Sequence, residues 1–463
     1  MPRLWIRNPL AVFAEQPADG GVVVEGGRIA ELVPLGMTPD HDQVYDASEQ
    51  VLIPGLINTH HHMYQTLTRA LPGAVDKELF DWLKALYPVW AGLSPDMVSV
   101  SSELAMAELL LSGCTTTTDH HYVFPAGHDD AIDRQVAAAQ ALGIRVVLTR
   151  GSMSLSVEDG GLPPKSVVQD EDSILADSAR LIDRFHDADP LAMTQIALAP
   201  CSPFSVTRGL MQASAELARA RGVLLHTHLA ETEDENAFCE ATFGCRPLDY
   251  VEDCGWLETK AWYAHGVHFN ADERERLARA GAGVASCSHS NMHLASGICS
   301  ACELETAGVG VGLGVDGSAS NDASNMMQEV RAAWLLQRLK YGSAAVSWRD
   351  ALRWGTAGSA DLLGRDALGR IAPGMAADLA LFRLDEPRFS GAGDPLAALV
   401  VCGAHRAEAV MVAGEWRVKS RALVGADLAG IMARHGQAAA ALQAGLLGAR
   451  VRGRHGDFER DLH

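Results

Sequence analysis

The sequence predicts an α/β fold: a (β/α)8 TIM-type barrel carrying a small β-sandwich domain formed by both chain ends. Three observations point there. Apolar, β-branched segments alternate with helical ones through the middle of the chain, and there are eight of them. Imidazole and carboxylate residues recur at the ends of these segments, where barrel enzymes place their chemistry. Both chain ends instead hold short β-like pieces and turn residues.

In order, the first strand is the apolar run Val51–Ile57, which leads directly into Asn58-Thr-His-His-His-Met-Tyr-Gln65. A helix through Glu103–Ser112 closes at Gly113, and Cys114–His120 follows as a β-branched strand. Helices through Arg134–Leu142, Asp172–Phe185 and Leu210–Arg221 then alternate with strands Arg145–Arg150, Gln195–Pro200 and Val223–His228. Strands Ala261–His265, Gly283–Cys287 and Val309–Val315 complete the set. A doubly wound open sheet would need a Gly-rich phosphate loop after an early strand, and the sequence has none. The expected division is 1–53 with 371–424 as the composite β-domain, 54–370 as the barrel, and 425–463 as a helical tail.

With 463 residues, 48% hydrophobic and 21% charged, the composition is that of a globular enzyme. The net charge is −20 with no basic stripe, which argues against nucleic acid and anionic membranes as partners. The N-terminus lacks the apolar core of a signal peptide, and no apolar span is long enough for a bilayer. Nine scattered cysteines suit a reducing compartment, so a cytoplasmic location is expected. Cys299 and Cys302 have CxxC spacing without a second pair and read as two thiols near a helix start. The expected partners are a small-molecule substrate and further copies of the same chain.

The strand ends carry the chemistry. His60 and His62 stand two apart and so leave a strand on one face, as a metal would need them. The fifth strand ends in His226-Thr-His228-Leu-Ala-Glu231. Spacing permits either imidazole to be a ligand, and Glu231 nearby favours His228. The sixth strand ends in His265, for which the plain alternative is a core histidine. The eighth ends in Asp316, a carboxylate whose burial would be costly unless paired or metal-bound. Its plain alternative is a helix N-cap.

This constellation resembles the amidohydrolase superfamily: His60-x-His62 on the first strand, His228 and Glu231 on the fifth, His265 on the sixth, Asp316 on the eighth. The return segment Pro373–Asp378 fits the resemblance too. The fourth strand carries no lysine to bridge two metals, which places the likeness in the single-metal deaminase branch. The resemblance implies that His60, His62, His228 and Asp316 hold one divalent ion, Zn²⁺ or alternatively Fe²⁺. It further implies hydrolytic deamination, in which hydroxide formed at the ion attacks an amine-bearing ring carbon. Asp316, His265 and Glu231 are then the catalytic residues.

Among such deaminases, the runs His60–Ala70, Thr118–Tyr122 and Ala199–Ser205 look most similar to 8-oxoguanine deaminases, which release urate and ammonia. Isoxanthopterin, guanine and hydroxytriazine aminohydrolases are the alternatives, and a non-catalytic scaffold is a remote one. Expected substrate contacts are Gln65, whose amide can donate and accept, Arg150 as reader of an oxo group, Cys201, and Glu231. Trp82, Tyr87 and Trp90 are read as an aromatic lid or, equally, as core. His120 and His121 are read as pocket wall or structure. Relatives usually have His-Cys-Pro-x-Ser-Asn on the seventh strand, where this chain has Ser286-Cys-Ser-His-Ser-Asn291. The added His289 and His293 are expected in a loop.

Overall fold

The computed structural model describes residues 2–457. Eight parallel strands follow one another in sequence order: Leu56–Asn58, Cys114–His121, Arg145–Ser152, Thr194–Pro200, Leu225–Leu229, Ala261–His265, Gly283–Ser286 and Gly310–Leu313. The first meets the last. Thr59 donates both its N–H and its hydroxyl to Leu313 O at 2.9 Å, and Val315 N–H donates to Asn58 Oδ1 at 2.9 Å. These bonds bring the two sheet edges together, so the predicted barrel is the observed one.

The run Val51–Ile57 is not one strand. Gln50–Pro54 pairs antiparallel with Leu379–Arg383 in an outer sheet, and Leu56–Asn58 begins the barrel. Gly55 makes the change of sheet, because a Cβ there would lie 2.1 Å from Thr115 Oγ1. Apolar periodicity cannot reveal such a break, since both halves are buried. The second strand is buried throughout although half of it is threonine, whose β-branched shape suits a pleated surface. Helices pack outside the barrel and start at polar caps: Ser94 caps Pro95–Leu111 and Asp170 caps Glu171–Phe185.

The chain ends build two further sheets. One holds Leu4–Arg7, Gly21–Glu25, Arg28–Val33 and Gln43–Asp46. The other combines Ala11–Val12 and Gln50–Pro54 with Leu379–Arg383, Ala409–Val412, Glu415–Lys419 and Ala422–Leu423. Ile6, Val24 and Ile29 from the beginning of the chain share one apolar core with Leu379, Leu381 and Met411 from its end. A buried ion pair ties this region to the barrel: Arg145 on the third strand bonds Asp378 through Nε at 2.6 Å. Removing one partner of such a pair costs ~3–5 kcal/mol.

Helix Leu428–Asp457 forms the tail, of which 458–463 lie outside the described residues. It packs on Pro95–Leu111 and on the turn Met63–Thr68. Gln443 Nε2 donates to Leu67 O at 2.7 Å, and His435 Nε2 meets Thr66 Oγ1 at 3.0 Å. The tail thereby braces the turn that carries Gln65.

Candidate active site

The imidazoles of His60, His62 and His228 converge at the C-terminal mouth of the barrel, and all three are buried. Two of them have the proton fixed by what they meet on the Nδ1 side. His62 Nδ1 lies 2.7 Å from His120 O, and His228 Nδ1 lies 2.7 Å from Cys201 O. A carbonyl only accepts, so both rings carry the proton on Nδ1 and present an Nε2 lone pair. The two Nε2 atoms are 3.1 Å apart. His60 Nε2 is buried without a hydrogen-bond partner, yet stands 3.3 Å from Asp316 Oδ1. His62 Nε2 is 3.2 Å from the same oxygen.

Donors that share one cation at ~2.0–2.2 Å stand about 3 Å from one another, with room for a further position that water can take. The observed spacings match, and the orphaned Nε2 of His60 has no protein partner to take its lone pair. The set fits a divalent metal ion.

Asp316 reaches this point because the eighth strand runs close against the first. Its N–H donates to His60 O at 3.0 Å, and a Cβ on Gly314 would lie 2.6 Å from His60 Cβ. Asp316 and His265 have φ of 61° and 72°, a left-handed conformation costly for side-chain-bearing residues and common at functional sites.

His265 Nε2 lies between the two other acidic groups, 3.5 Å from Glu231 Oε2 and 3.8 Å from Asp316 Oδ2. Its Nδ1 lies 2.9 Å from Asn291 Oδ1, which fixes the ring as a donor there and an acceptor at Nε2. Burial lowers the His265 pKa. Glu231 moves the other way: burial, then the charges of Asp316 and Glu235, push its carboxyl well above the usual range. The Glu231 N–H is held by Glu235 Oε2 at 2.8 Å, and burial pushes that second carboxyl up to about 8.

The cleft above these groups is lined by His62, Gln65, Cys201, His228, Glu231, His265 and Asp316, together with Trp82, Tyr87, Tyr122, Phe204 and Ser320. Gln65 presents a buried Nε2 with no partner in the protein, while its Oε1 accepts from Ala319 N–H. Cys201 borders the cleft with its thiol raised to about 12 by burial, so it is a neutral lining group.

Arg150 does not line the cleft, which corrects its expected role as a substrate reader. Its guanidinium bonds Asp177 at 2.6 Å and Gln169 Oε1 at 2.9 Å, and lies over the Phe124 ring at 3.9 Å. Alternation along the strand explains this: positions two apart share a face, and strand-end position alone does not say which face meets the cavity. The aromatic segment divides, since Trp82 and Tyr87 line the cleft while Trp90 is buried and donates to Thr68 Oγ1. His120 stacks on His228 with centroids 4.7 Å apart and bonds Ala199 O, so it supports the site from behind. His121 packs against Phe124 and Tyr64. His289 and His293 lie on the helix Ser288–His293 and not in a loop, with His289 bonded to Glu329.

Sequence reasoning missed Asn291, Asp119, Tyr122 and Ser320. Asp119 accepts from Met63 N–H at 2.6 Å and so fixes the turn after the histidine run. Its sequence signals are a carboxylate after four threonines on a buried strand and its place within the run Thr118–Tyr122.

The chain belongs to the amidohydrolase family, whose model matches residues 51–417. It is 58% identical over 96% of its length to all of an 8-oxoguanine deaminase from Pseudomonas aeruginosa. It is 34% identical over 92% of its length to 94% of an isoxanthopterin deaminase from an unknown prokaryotic organism. Among solved structures it is similar to an atrazine chlorohydrolase from Arthrobacter aurescens complexed with zinc. That likeness has a TM-score of 0.89 at 31% identity and covers 95% of this chain and 100% of the other.

Proposed function

We propose that this protein is a metal-dependent hydrolytic deaminase of an aminated purine-like heterocycle, converting 8-oxoguanine and water to urate and ammonia. The observation that carries the reading is the meeting of His60, His62 and His228 Nε2 with Asp316 Oδ1 beside Glu231, whose carboxyl burial pushes well above the usual range. The 58% identity to an 8-oxoguanine deaminase supports this substrate.

His60, His62, His228 and Asp316 would hold one ion, Zn²⁺ by its preference for imidazole and carboxylate, with Fe²⁺ the alternative. Such an ion lowers the pKa of a water molecule it binds, from about 15.7 towards roughly 7. Everything else falls to side chains. Asp316 uses Oδ1 towards the imidazoles, while Oδ2, 3.8 Å from His265 and accepting from Ser320 Oγ at 3.4 Å, takes a proton from the attacking water. His265 orients that water through its Nε2 lone pair. Glu231 gives its proton to the ring nitrogen beside the reacting carbon as the new C–O bond forms. Asp316 passes its proton to the exocyclic nitrogen, the C–N bond breaks, and ammonia leaves. As the carbonyl forms, its oxygen gives up the last proton, which restores Glu231. Gln65 Nε2 supplies a donor to the heterocycle edge, and Trp82 and Tyr87 cover its face.

Ammonia release over a panel of 8-oxoguanine, guanine, isoxanthopterin, cytosine and hydroxyatrazine tests the reading. Greatest kcat/KM on 8-oxoguanine is expected, and preference for another member would reassign the substrate within the class. Isoxanthopterin is the second reading, favoured by the 34% identity to a deaminase of that pteridine. No helix among the described residues is long and apolar enough to cross a membrane, in keeping with a cytoplasmic enzyme. The division into 1–53 with 371–424, 54–370 and 425–463 places all these site residues in the barrel.

A further inference from the structure

His226 precedes His228 by two residues on the same strand and is fully buried. Its Nδ1 lies 2.8 Å from Trp262 O, so a neutral ring carries its proton there. Its Nε2 is then an acceptor, and His60 Nδ1, 2.8 Å away, must be the donor. This fixes the His60 proton on Nδ1 and leaves the Nε2 lone pair facing Asp316 and His62. His62 and His228 donate to main-chain carbonyls directly, whereas His60 reaches one only through a second imidazole.

Trp262 grips the same point twice more. Its ring stacks on His226 with centroids 4.2 Å apart and planes 15° apart. Its Nε1 donates to Thr59 O at 2.9 Å, on the peptide that precedes His60. His60 is therefore held by ring and by backbone from one residue on the sixth strand.

We infer that His226, backed by Trp262, is a positioning residue that sets the tautomer and orientation of His60 for metal binding. The inference rests on the metal site proposed above and deepens it. Partners behind a ligating imidazole orient it and raise its basicity.

The test compares metal-stripped wild type, His226→Gln and His226→Leu for Zn²⁺ affinity by competition with a chromogenic chelator. Leucine removes the acceptor, and affinity is expected to fall roughly 10- to 100-fold. Glutamine Oε1 can accept from His60, so that variant is expected to keep most of the wild-type affinity. A leucine variant equal to wild type overturns the inference. A glutamine variant as weak as leucine does so too, because bulk and not an acceptor would then matter. Should the leucine variant fail to fold, ¹⁵N imidazole NMR of metal-free wild type decides: a His60 proton on Nδ1 supports the inference, and one on Nε2 overturns it. Wild type that binds no Zn²⁺ would sink the metal site itself, and this inference with it.

Discussion

His62 and His228 are 166 residues apart in sequence, yet their Nε2 atoms stand 3.1 Å from each other while both Nδ1 atoms donate to main-chain carbonyls. Two lone pairs held this close repel unless something positive lies between them. The pair is arranged to share a cation.

Replacing Glu231 with Gln removes the acid proton but keeps shape and hydrogen bonding. Turnover is expected to fall by about 10²–10⁴-fold, with bound metal per chain unchanged. Ammonia release and elemental analysis on the same preparation check both halves, and near-normal turnover would take Glu231 out of the mechanism.

Stripping the metal with a chelator is expected to abolish activity, and stoichiometric Zn²⁺ to restore it. Because the ion binds only the folded chain, at one hundred times its Kd it adds about 2.7 kcal/mol of stability. Thermal unfolding with and without Zn²⁺ measures this, and His228→Ala should lose the shift.

Glu235 gives the pH prediction. Its carboxyl is raised to about 8 in the folded protein, while in the unfolded chain it titrates near the usual 4.5. Between these values the native state holds a proton that the unfolded state has released, so stability falls as pH rises. The contribution is fully present below about 4.5 and gone above about 8. Glu235→Gln, which can still accept from Glu231 N–H, should flatten this part of a denaturation series measured across that window. An unchanged slope would show that Glu235 is ionised in the native state.

Arg150→Met should leave KM for the heterocycle unchanged and lower the melting temperature, because the guanidinium bonds Asp177 and Gln169 outside the cleft. A large rise in KM with stability intact would return Arg150 to the substrate.

The barrel was legible because strand and helix periods differ, and because His60, His62, His228, His265 and Asp316 each stand where a strand ends. Periodicity failed at Gly55, where two buried strands of different sheets read as one apolar run. It failed again for Arg150, whose strand-end position implied the cavity when its charge is satisfied elsewhere. His226 shows a further limit. Spacing showed that it shares a face with His228, but only the position of Trp262 O determines which nitrogen carries its proton.

By itself the sequence determined the fold class, since alternating periods follow from residue type and local spacing, while the candidate cation ligands and the acid beside them came from the family resemblance. Only the tertiary structure decided which way each ring nitrogen faces, why burial raises the Glu231 carboxyl, and which side chains face the cleft. Protonation and exposure depend on neighbours brought in from distant parts of the chain, and no local pattern encodes those neighbours.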